Sequence, residues 1–210
     1  MNYISDITTR FLVSLREFYA REVDREVPGS SMLREVVQRL DEAGKDFVLP
    51  DRTVVPVLVE LTGVMDMGTT APLAAVLENF KELEPNLQWT QNPNYNADRL
   101  GEHFMENYGY ANIIGPGGLL EIEGLMIGAL LLGPGTYYPK HFHPALEAYY
   151  PLCGEAYWSK DEEEEQQIPA GSNIFHGSNV IHAMRTADKP LLALYSWLGE
   201  IDVRAELKVA

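Results

Sequence analysis

The chain contains 210 residues with 16 basic and 31 acidic side chains, which gives a formal net charge of -15 at pH 7. This acidity argues against nucleic acid as a partner, because DNA and RNA are bound mainly by basic surfaces. Hydrophobic residues make up 46% of the chain, which argues against disorder, and no apolar run is long enough to span a bilayer, so no membrane partner is expected.

Helical periodicity marks the N-terminal part of the chain. Apolar side chains recur at helical spacing within residues 11–19 and again within residues 33–40. Ser30 or Ser31 is expected to cap the start of the second helix, and Gly44 to follow its end. The two apolar stripes are most simply explained as the core-facing surfaces of amphipathic helices.

A third helix is predicted from Thr70 to Leu83. Pro72 suits its first turn, Pro85 ends it, and the apolar residues between them form one stripe. The turn-rich segment Gln91–Asn96 is expected to lead into the next part of the chain. Because residues 70–110 are rich in aromatic side chains and polar turns, we expect this segment to cover the mouth of the following domain, helped by the helices before it.

From Ala111 the pattern changes to short β-rich runs separated by glycine and proline turns. The clearest runs are residues 111–114, 125–132, 155–158 and 191–197. Many short strands with regular turns favour an antiparallel barrel or sandwich. We therefore predict a mainly β fold, with a helical extension over residues 1–110 and a barrel over residues 111–210. The two parts should form one cooperative unit, because residues 45–69 contain no clear flexible linker.

A group of metal-ligand residues lies in the stretch His141-Phe-His143-Pro-Ala-Leu-Glu147. His141 and His143 share a face of an extended strand, and Glu147 can return toward them after a short turn. His182 is a fourth candidate. Three imidazoles and a carboxylate suit zinc, iron, manganese, nickel or cobalt better than magnesium or calcium. The alternative, ordinary surface histidines, does not explain why three of the five histidines fall in this pattern.

Tyrosines accompany the histidine pair. Tyr137 and Tyr138 precede it, and Tyr149 should share a strand face with Glu147, which aims its phenol at the ligands. A divalent cation nearby would lower the pKa of a tyrosine, because it favours the phenolate, and the tyrosine could then act as a general base. The alternative is that these are core aromatics whose hydroxyls find other partners.

Two further features are an acidic run and a single cysteine. The acidic run Asp161–Glu165 is better explained as a solvated hairpin between Trp158 and Ile168 than as a cation-binding loop. Cys153 is the single cysteine and cannot form an internal disulfide, so it is expected to be a packed small residue in a cytoplasmic protein. The stretch Met1–Asp6 lacks the features of a signal peptide, which agrees with that location.

The spacing from Gly135 through the HxH pair and Glu147 to Gly154 resembles the first signature of the cupin family. The stretch from Gly171 to His182 resembles the second, although Gly177, Asn179 and Thr186 depart from its usual residues. The resemblance implies a double-stranded β-helix, or jelly-roll barrel, over about residues 113–200. Many reactions occur on this fold, so the fold alone does not select one.

Longer stretches resemble the cupin-type dimethylsulfoniopropionate lyases of marine bacteria. They are residues 84–89, 111–119, 138–149, 182–186 and 188–193. The resemblance implies a β-elimination that releases dimethyl sulfide and acrylate. It also implies a metal held by the two histidines of the HxH pair, Glu147 and His182, with Tyr149 as the base and Tyr138 as a second tyrosine near the substrate.

The implied partners are one divalent transition metal ion per chain, zinc, iron or manganese, and a small zwitterionic sulfonium substrate. Aromatic faces can hold a sulfonium, and Trp158, Tyr195 and Trp197 lie on the predicted barrel strands. The oligomeric state is open, with a homodimer as one option. Two other functions remain alternatives: another metal-dependent cupin enzyme, such as an iron dioxygenase or an isomerase, and a non-catalytic sensor of a metal or small ligand.

Overall fold

The computed structural model describes residues 3–44 and 46–208. Six α-helices occupy the first half: α1 Tyr3–Asp24, α2 Ser30–Glu42, α3 Leu61–Asp66, α4 Ala74–Leu83, α5 Ala97–Leu100 and α6 Glu102–Glu106. Eleven strands follow from the middle of the chain: β1 Trp89–Thr90, β2 Tyr108–Ile114, β3 Leu125–Leu132, β4 Tyr137–Phe142, β5 Leu146–Cys153, β6 Ala156–Lys160, β7 Gln166–Ile168, β8 Ile174–His176, β9 His182–Arg185, β10 Leu191–Leu198 and β11 Glu206–Leu207. The predicted mainly β fold with a helical N-terminal part is confirmed.

The strands form two sheets. The larger sheet has the order β1-β2-β3-β10-β5-β8, and the smaller has the order β11-β4-β9-β6-β7. The paired strands are antiparallel throughout the described part of the chain. Consecutive strands alternate between the sheets in the middle of the barrel, which is the arrangement expected of a jelly roll.

Both faces of the larger sheet are buried, which explains why β3 is apolar along its whole length. Side chains alternate along a strand, so successive residues of β3 and β10 enter different cores. One core lies between the sheet and the helices and includes Ile127, Leu131 and Leu194. The other lies inside the barrel and includes Leu130 and Tyr195.

Helix α1 crosses the outer face of the larger sheet. The rings of Phe18 and Tyr150 meet edge to face at 4.8 Å, and the hydroxyl of Tyr19 lies 2.7 Å from Oγ of Ser196 on β10. The N-terminal helices therefore cover the outside of the barrel. Within residues 3–44 and 46–208, these helices do not lie at the barrel mouth, where they were expected to help form a lid.

The starts of two helices differ from the prediction, whereas Gly44 follows the end of α2 and α4 ends at Leu83 as expected. Helix α2 begins at Ser30 after Gly29, which has a φ of 80° and lacks a side-chain cap. A Cβ on Gly29 would come 2.4 Å from the ring of Phe175, so this turn needs glycine for space as well as for its backbone angle. The third predicted helix starts with a 3-10 turn, Ala71–Leu73, before α4.

The remaining local predictions agree with the structure. The acidic run joins β6 to β7 as an exposed hairpin, and Cys153 is buried. Burial raises the pKa of the Cys153 thiol to about 12, so it is a poor nucleophile. Within residues 3–44 and 46–208, none of the helices has the length and apolar character that crossing a membrane requires.

Candidate active site

The strand pairing brings the four predicted ligands into the barrel interior. His141 on β4 pairs with His182 at the start of β9, and Glu147 reaches them from β5 in the other sheet. His143 follows directly after β4. All four side chains are at most 2% exposed. Burying four polar groups this completely is costly unless they bind one another or a metal ion.

The three imidazoles of this set share one orientation. In each of them Nδ1 points at a backbone carbonyl oxygen. The distance is 2.8 Å from Nδ1 of His141 to the oxygen of Pro139. It is 3.1 Å from Nδ1 of His143 to the oxygen of Ala145 and 3.0 Å from Nδ1 of His182 to the oxygen of Val180. A carbonyl can only accept, so Nδ1 carries the hydrogen, and in the neutral ring Nε2 keeps its lone pair. For His143 this lone pair faces Oε2 of Glu147 at 3.1 Å, which leaves the space between them to a cation. This fixed tautomer is typical of histidines that bind a metal through Nε2.

His143, Glu147 and His182 form the centre of the group, since one ligand atom from each lies within 4.8 Å of the others. Nε2 of His182 is 3.3 Å from Oε2 of Glu147, yet it has no hydrogen-bond partner among the described residues. His141 lies beside this trio, with its ring centroid 4.1 Å from that of His182. A buried carboxylate with inward-facing imidazole lone pairs fits a divalent transition metal.

The charges of the group also suit a metal. Burial disfavours the charge of Glu147, but the neighbouring imidazoles of His143, His176 and His182 outweigh this effect, so the pKa of Glu147 lies well below its ordinary value. Burial and the nearby His182 hold the pKa of His141 well below its ordinary value. The group thus offers an ionised carboxylate and a neutral imidazole, which are the forms that bind metals.

Both predicted tyrosines lie next to the ligands. Tyr138 stacks on His141, with centroids 3.9 Å apart, and its hydroxyl is 3.0 Å from that of Tyr95. Tyr149 lies two residues after Glu147 on the same strand face. Burial and the charge of Glu147 raise the pKa of Tyr149 well above its ordinary value, and burial and the neighbouring tyrosines raise that of Tyr138.

A cavity of about 540 Å³ opens above the two tyrosines. Tyr138 and Tyr149 contribute to its wall, and Tyr195 and Trp197 line it as well. The cavity has a size typical of small-molecule sites, and its wall combines six aromatic side chains with a similar number of polar or charged ones. Residues 88 and 90–93 contribute to the wall, as do Tyr108 and Tyr110, so these parts of the predicted 70–110 lid do lie at the mouth.

The three aromatics predicted to hold the substrate differ in position. Tyr195 lines the large cavity, and a Cβ on Gly128 would come 2.3 Å from its hydroxyl oxygen, so a glycine opposite makes room for this phenol. Trp197 also lines the cavity, but it stacks on His143 at 3.8 Å and donates its indole N–H to Glu147. Trp158 lies beside Tyr149 and lines a second, smaller cavity instead.

One histidine of the site was not predicted. His176 on β8 is 1% exposed, and its Nδ1 lies 3.1 Å from Oε2 of Glu147. Its ring stacks on that of His182 at 3.9 Å. The available signal was its position in the short β-rich run Ile174-Phe-His176, six residues before His182, but nothing local indicated that β8 pairs with β5.

Comparison with known proteins gives a consistent result. The family model for dimethylsulfoniopropionate lyase matches residues 29–193. Dimethylsulfoniopropionate lyase DddQ of Ruegeria pomeroyi is 33% identical over 161 residues, which cover 73% of this chain and 79% of that protein. The crystal structure of that DMSP lyase superposes with a TM-score of 0.76 at 26% identity, over 97% of this chain and 96% of the other. A chain from crystal structures of the DMSP lyases RdDddP and RnDddQII has the same fold, with a TM-score of 0.76 at 22% identity over 97% and 98% of the two chains.

Proposed function

The chain belongs to the dimethylsulfoniopropionate lyase family, and on that premise we propose that it cleaves dimethylsulfoniopropionate by a metal-dependent β-elimination with Tyr149 as the base. The observation that carries the proposal is the position of Tyr149. Its side chain lines the large aromatic cavity and lies next to the buried ligand Glu147. A base must reach both the substrate and its activating group, and Tyr149 is adjacent to both regions.

The proposed metal ligands are His141, His143, Glu147 and His182. When bound there, a divalent ion would polarise the substrate carboxylate and favour the phenolate form of Tyr149. The nitrogen-rich ligand set supports zinc, iron or manganese over magnesium or calcium. The single buried Cys153 supports a reducing compartment, and we include a cytoplasmic location in the proposal.

The elimination uses the residues of the cavity. Tyr149 removes a proton from the carbon next to the substrate carboxylate, and the electron pair of that C–H bond forms the carbon–carbon double bond. The bond between the β-carbon and sulfur breaks at the same time, and sulfur keeps its electrons. The products are acrylate and neutral dimethyl sulfide, and the proton remains on the Tyr149 oxygen until solvent removes it.

The aromatic wall supports the choice of substrate. A sulfonium cannot accept a conventional hydrogen bond, but the face of an aromatic ring attracts it by roughly 0.5–2 kcal/mol per contact. Tyr138 and Tyr195 are the tyrosines we assign to this wall besides the base, because both line the cavity. Trp197 supplies part of the wall while its N–H holds Glu147.

The proposal is tested by measuring dimethyl sulfide in the headspace after dimethylsulfoniopropionate is added to the protein. Protein loaded with Zn²⁺, Fe²⁺ or Mn²⁺ should release it without oxygen, which an iron dioxygenase would require. Removal of the metal with a chelator should abolish release, and re-addition should restore it. His143→Ala should lose most of the bound metal and the activity together. Full activity of the chelated protein would disprove the metal-dependent mechanism. If none of the metal-loaded forms releases dimethyl sulfide, dimethylsulfoniopropionate is not the substrate.

A further inference from the structure

His176 is a buried histidine for which the proposed mechanism has no role. Its Nδ1 lies 3.1 Å from Oε2 of Glu147, and its side chain is 1% exposed. An imidazole this close to a ligand carboxylate, with no part in the mechanism, needs an explanation, because a partner of this kind commonly orients a metal ligand.

The register of the larger sheet places His176 directly opposite Glu147. Strand β5 lies between β10 and β8, so Glu147 pairs with Trp197 on one side and with His176 on the other. Nε1 of Trp197 is 2.5 Å from Oε1, whereas Nδ1 of His176 approaches Oε2. Each carboxylate oxygen therefore has a partner on a flanking strand, and these two contacts hold the carboxylate from both sides. Nε2 of His143 and Nε2 of His182 also lie 3.1 and 3.3 Å from Oε2, on the side assigned to the metal.

The orientation of the His176 ring is opposite to that of the proposed ligands. His141, His143 and His182 direct Nδ1 at a carbonyl and keep Nε2 for the metal, whereas His176 directs Nδ1 at the carboxylate. An ionised carboxylate only accepts hydrogen bonds, so Nδ1 of His176 must carry a hydrogen. His176 is thus arranged to hold the ligand Glu147 rather than to act as a ligand through the same nitrogen.

A second cavity, of about 130 Å³, offers space for a hydrogen-bond partner of the other ring nitrogen of His176, Nε2. His176, Trp158 and Asn173 line it, and Nε2, Nε1 and Oδ1 of these residues have no hydrogen-bond partner within residues 3–44 and 46–208. The space exceeds the roughly 10–15 Å³ that a water molecule needs. Water there would accept from Trp158 Nε1–H and donate to His176 Nε2, which keeps the hydrogen of His176 on Nδ1.

We propose that His176 is a positioning residue that holds Glu147 in the orientation needed for metal binding and does not bind the metal itself. The inference rests on the metal site of the proposed lyase. His143 and His182 direct Nε2 at the same carboxylate, and we assign those nitrogens to the metal. Without the contact from His176, the carboxylate then keeps one donor on a flanking strand, Trp197, and can rotate about that bond. Metal affinity should then fall, while the fold and the other three ligands are retained.

Two substitutions separate the roles of the two ring nitrogens. The amide nitrogen of His176→Asn is as far from Cβ as Nδ1 is, so it can still donate to Glu147. The amide of His176→Gln extends toward the position of Nε2 and should lose that contact. The full-length proteins are titrated with Co²⁺ against a chelator of known affinity, and the visible spectrum of the bound ion reports its coordination. His103→Asn, which changes an exposed histidine on α6, is the control.

We expect His176→Gln to bind Co²⁺ about 10–100-fold more weakly with an altered spectrum, and His176→Asn to recover most of the affinity and the original spectrum. Equal affinity of His176→Gln and the unchanged protein would overturn the proposal, and so would an equal loss in both variants. If His176→Gln does not fold, His176→Leu replaces it as the variant that cannot donate.

The same titration distinguishes this proposal from the metal site on which it rests. Full affinity in His143→Ala would show that the proposed site is wrong. Weak binding by His143→Ala together with unchanged binding by His176→Gln would reject only the positioning role.

Discussion

Tyr149 is the residue whose chemistry the proposed elimination needs most directly. Tyr149→Phe keeps the ring and removes only the hydroxyl. We expect kcat for dimethyl sulfide release to fall at least about 100-fold, which is the lower range for the loss of a general base. Bound metal, measured by elemental analysis, should be unchanged, because the phenol is not among the four proposed ligands.

Tyr137→Phe is the matched control for this experiment. Tyr137 directly precedes Tyr138 on β4 but is 49% exposed and points away from the site. It should leave kcat unchanged. Nearly normal turnover in Tyr149→Phe would exclude this residue as the base and assign the role to Tyr138, which stacks on the ligand His141.

The candidate site residues that are close in sequence were predictable from local spacing, whereas His182 was indicated by the resemblance to the second cupin signature. The spacing of His141, His143 and Glu147 reflects the alternation of one strand and the turn after it, so sequence alone indicates their convergence. The contact between His176 and Glu147 depends on the pairing of β8 with β5, which joins residues 29 positions apart. The hydrogen bond from Trp197 to Glu147 likewise depends on a long-range pairing, because only the register of β10 and β5 places the indole N–H on the carboxylate.

Among the structural elements, the short segment 88–93 is the one that connects the helical part to the cavity. Gln91 bonds through its amide to the carbonyls of Met105 and Tyr108, at 2.6 and 2.7 Å. The side-chain amide of Asn92 donates to the carbonyl of Ala205, in the C-terminal part of the chain, at 3.1 Å. Ala205 also lines the cavity, so these bonds fasten the segment to opposite parts of its rim.

We therefore expect Asn92→Ala to loosen the rim of the cavity without changing the metal site. The substitution removes the bond to Ala205 and the bond that the Asn92 side chain accepts from the backbone N–H of Asn94. Loss of a buried hydrogen bond costs about 1–3 kcal/mol, so a loss of about tenfold in kcat/KM is expected, with metal content unchanged. The exposed Asn94→Ala, changed in the same turn, serves as the control. Steady-state kinetics of dimethyl sulfide release measure the effect, and unchanged kcat/KM in Asn92→Ala would show that this segment does not shape the substrate site.

Element boundaries were less predictable than the elements themselves. The apolar stripes located the three main helices, because their periodicity is local. The turn at Gly29, directly before α2, depends instead on Phe175, far along the chain, whose ring leaves no space for a Cβ there. The position of the helices on the outer face of the sheet likewise depends on which strand face is left uncovered, and a uniformly apolar strand such as β3 gives no indication of this.

At the scale of the whole molecule, the helical part and the barrel share one core. The buried cluster on the outer face of the larger sheet contains Phe11 and Leu15 from α1 together with Ile127 and Leu194 from the barrel. Exposing one large apolar side chain costs roughly 1.5–3 kcal/mol, whereas a whole domain is stable by only about 5–15 kcal/mol. A barrel stripped of its helices would expose many such side chains at once, so we expect residues 111–210 alone not to fold.

The full-length chain should accordingly unfold in a single transition. The three tryptophans report on both parts, because Trp89 is buried near the helices whereas Trp158 and Trp197 lie inside the barrel. Urea unfolding followed by tryptophan fluorescence and by far-ultraviolet circular dichroism should therefore give coincident curves with one midpoint. Tyr19→Phe, which removes the hydroxyl bonded to Ser196 between α1 and β10, should lower the free energy of unfolding by about 1 kcal/mol and shift both curves together. Two separated transitions, or a folded 111–210 fragment, would show that the helical part and the barrel are independent domains.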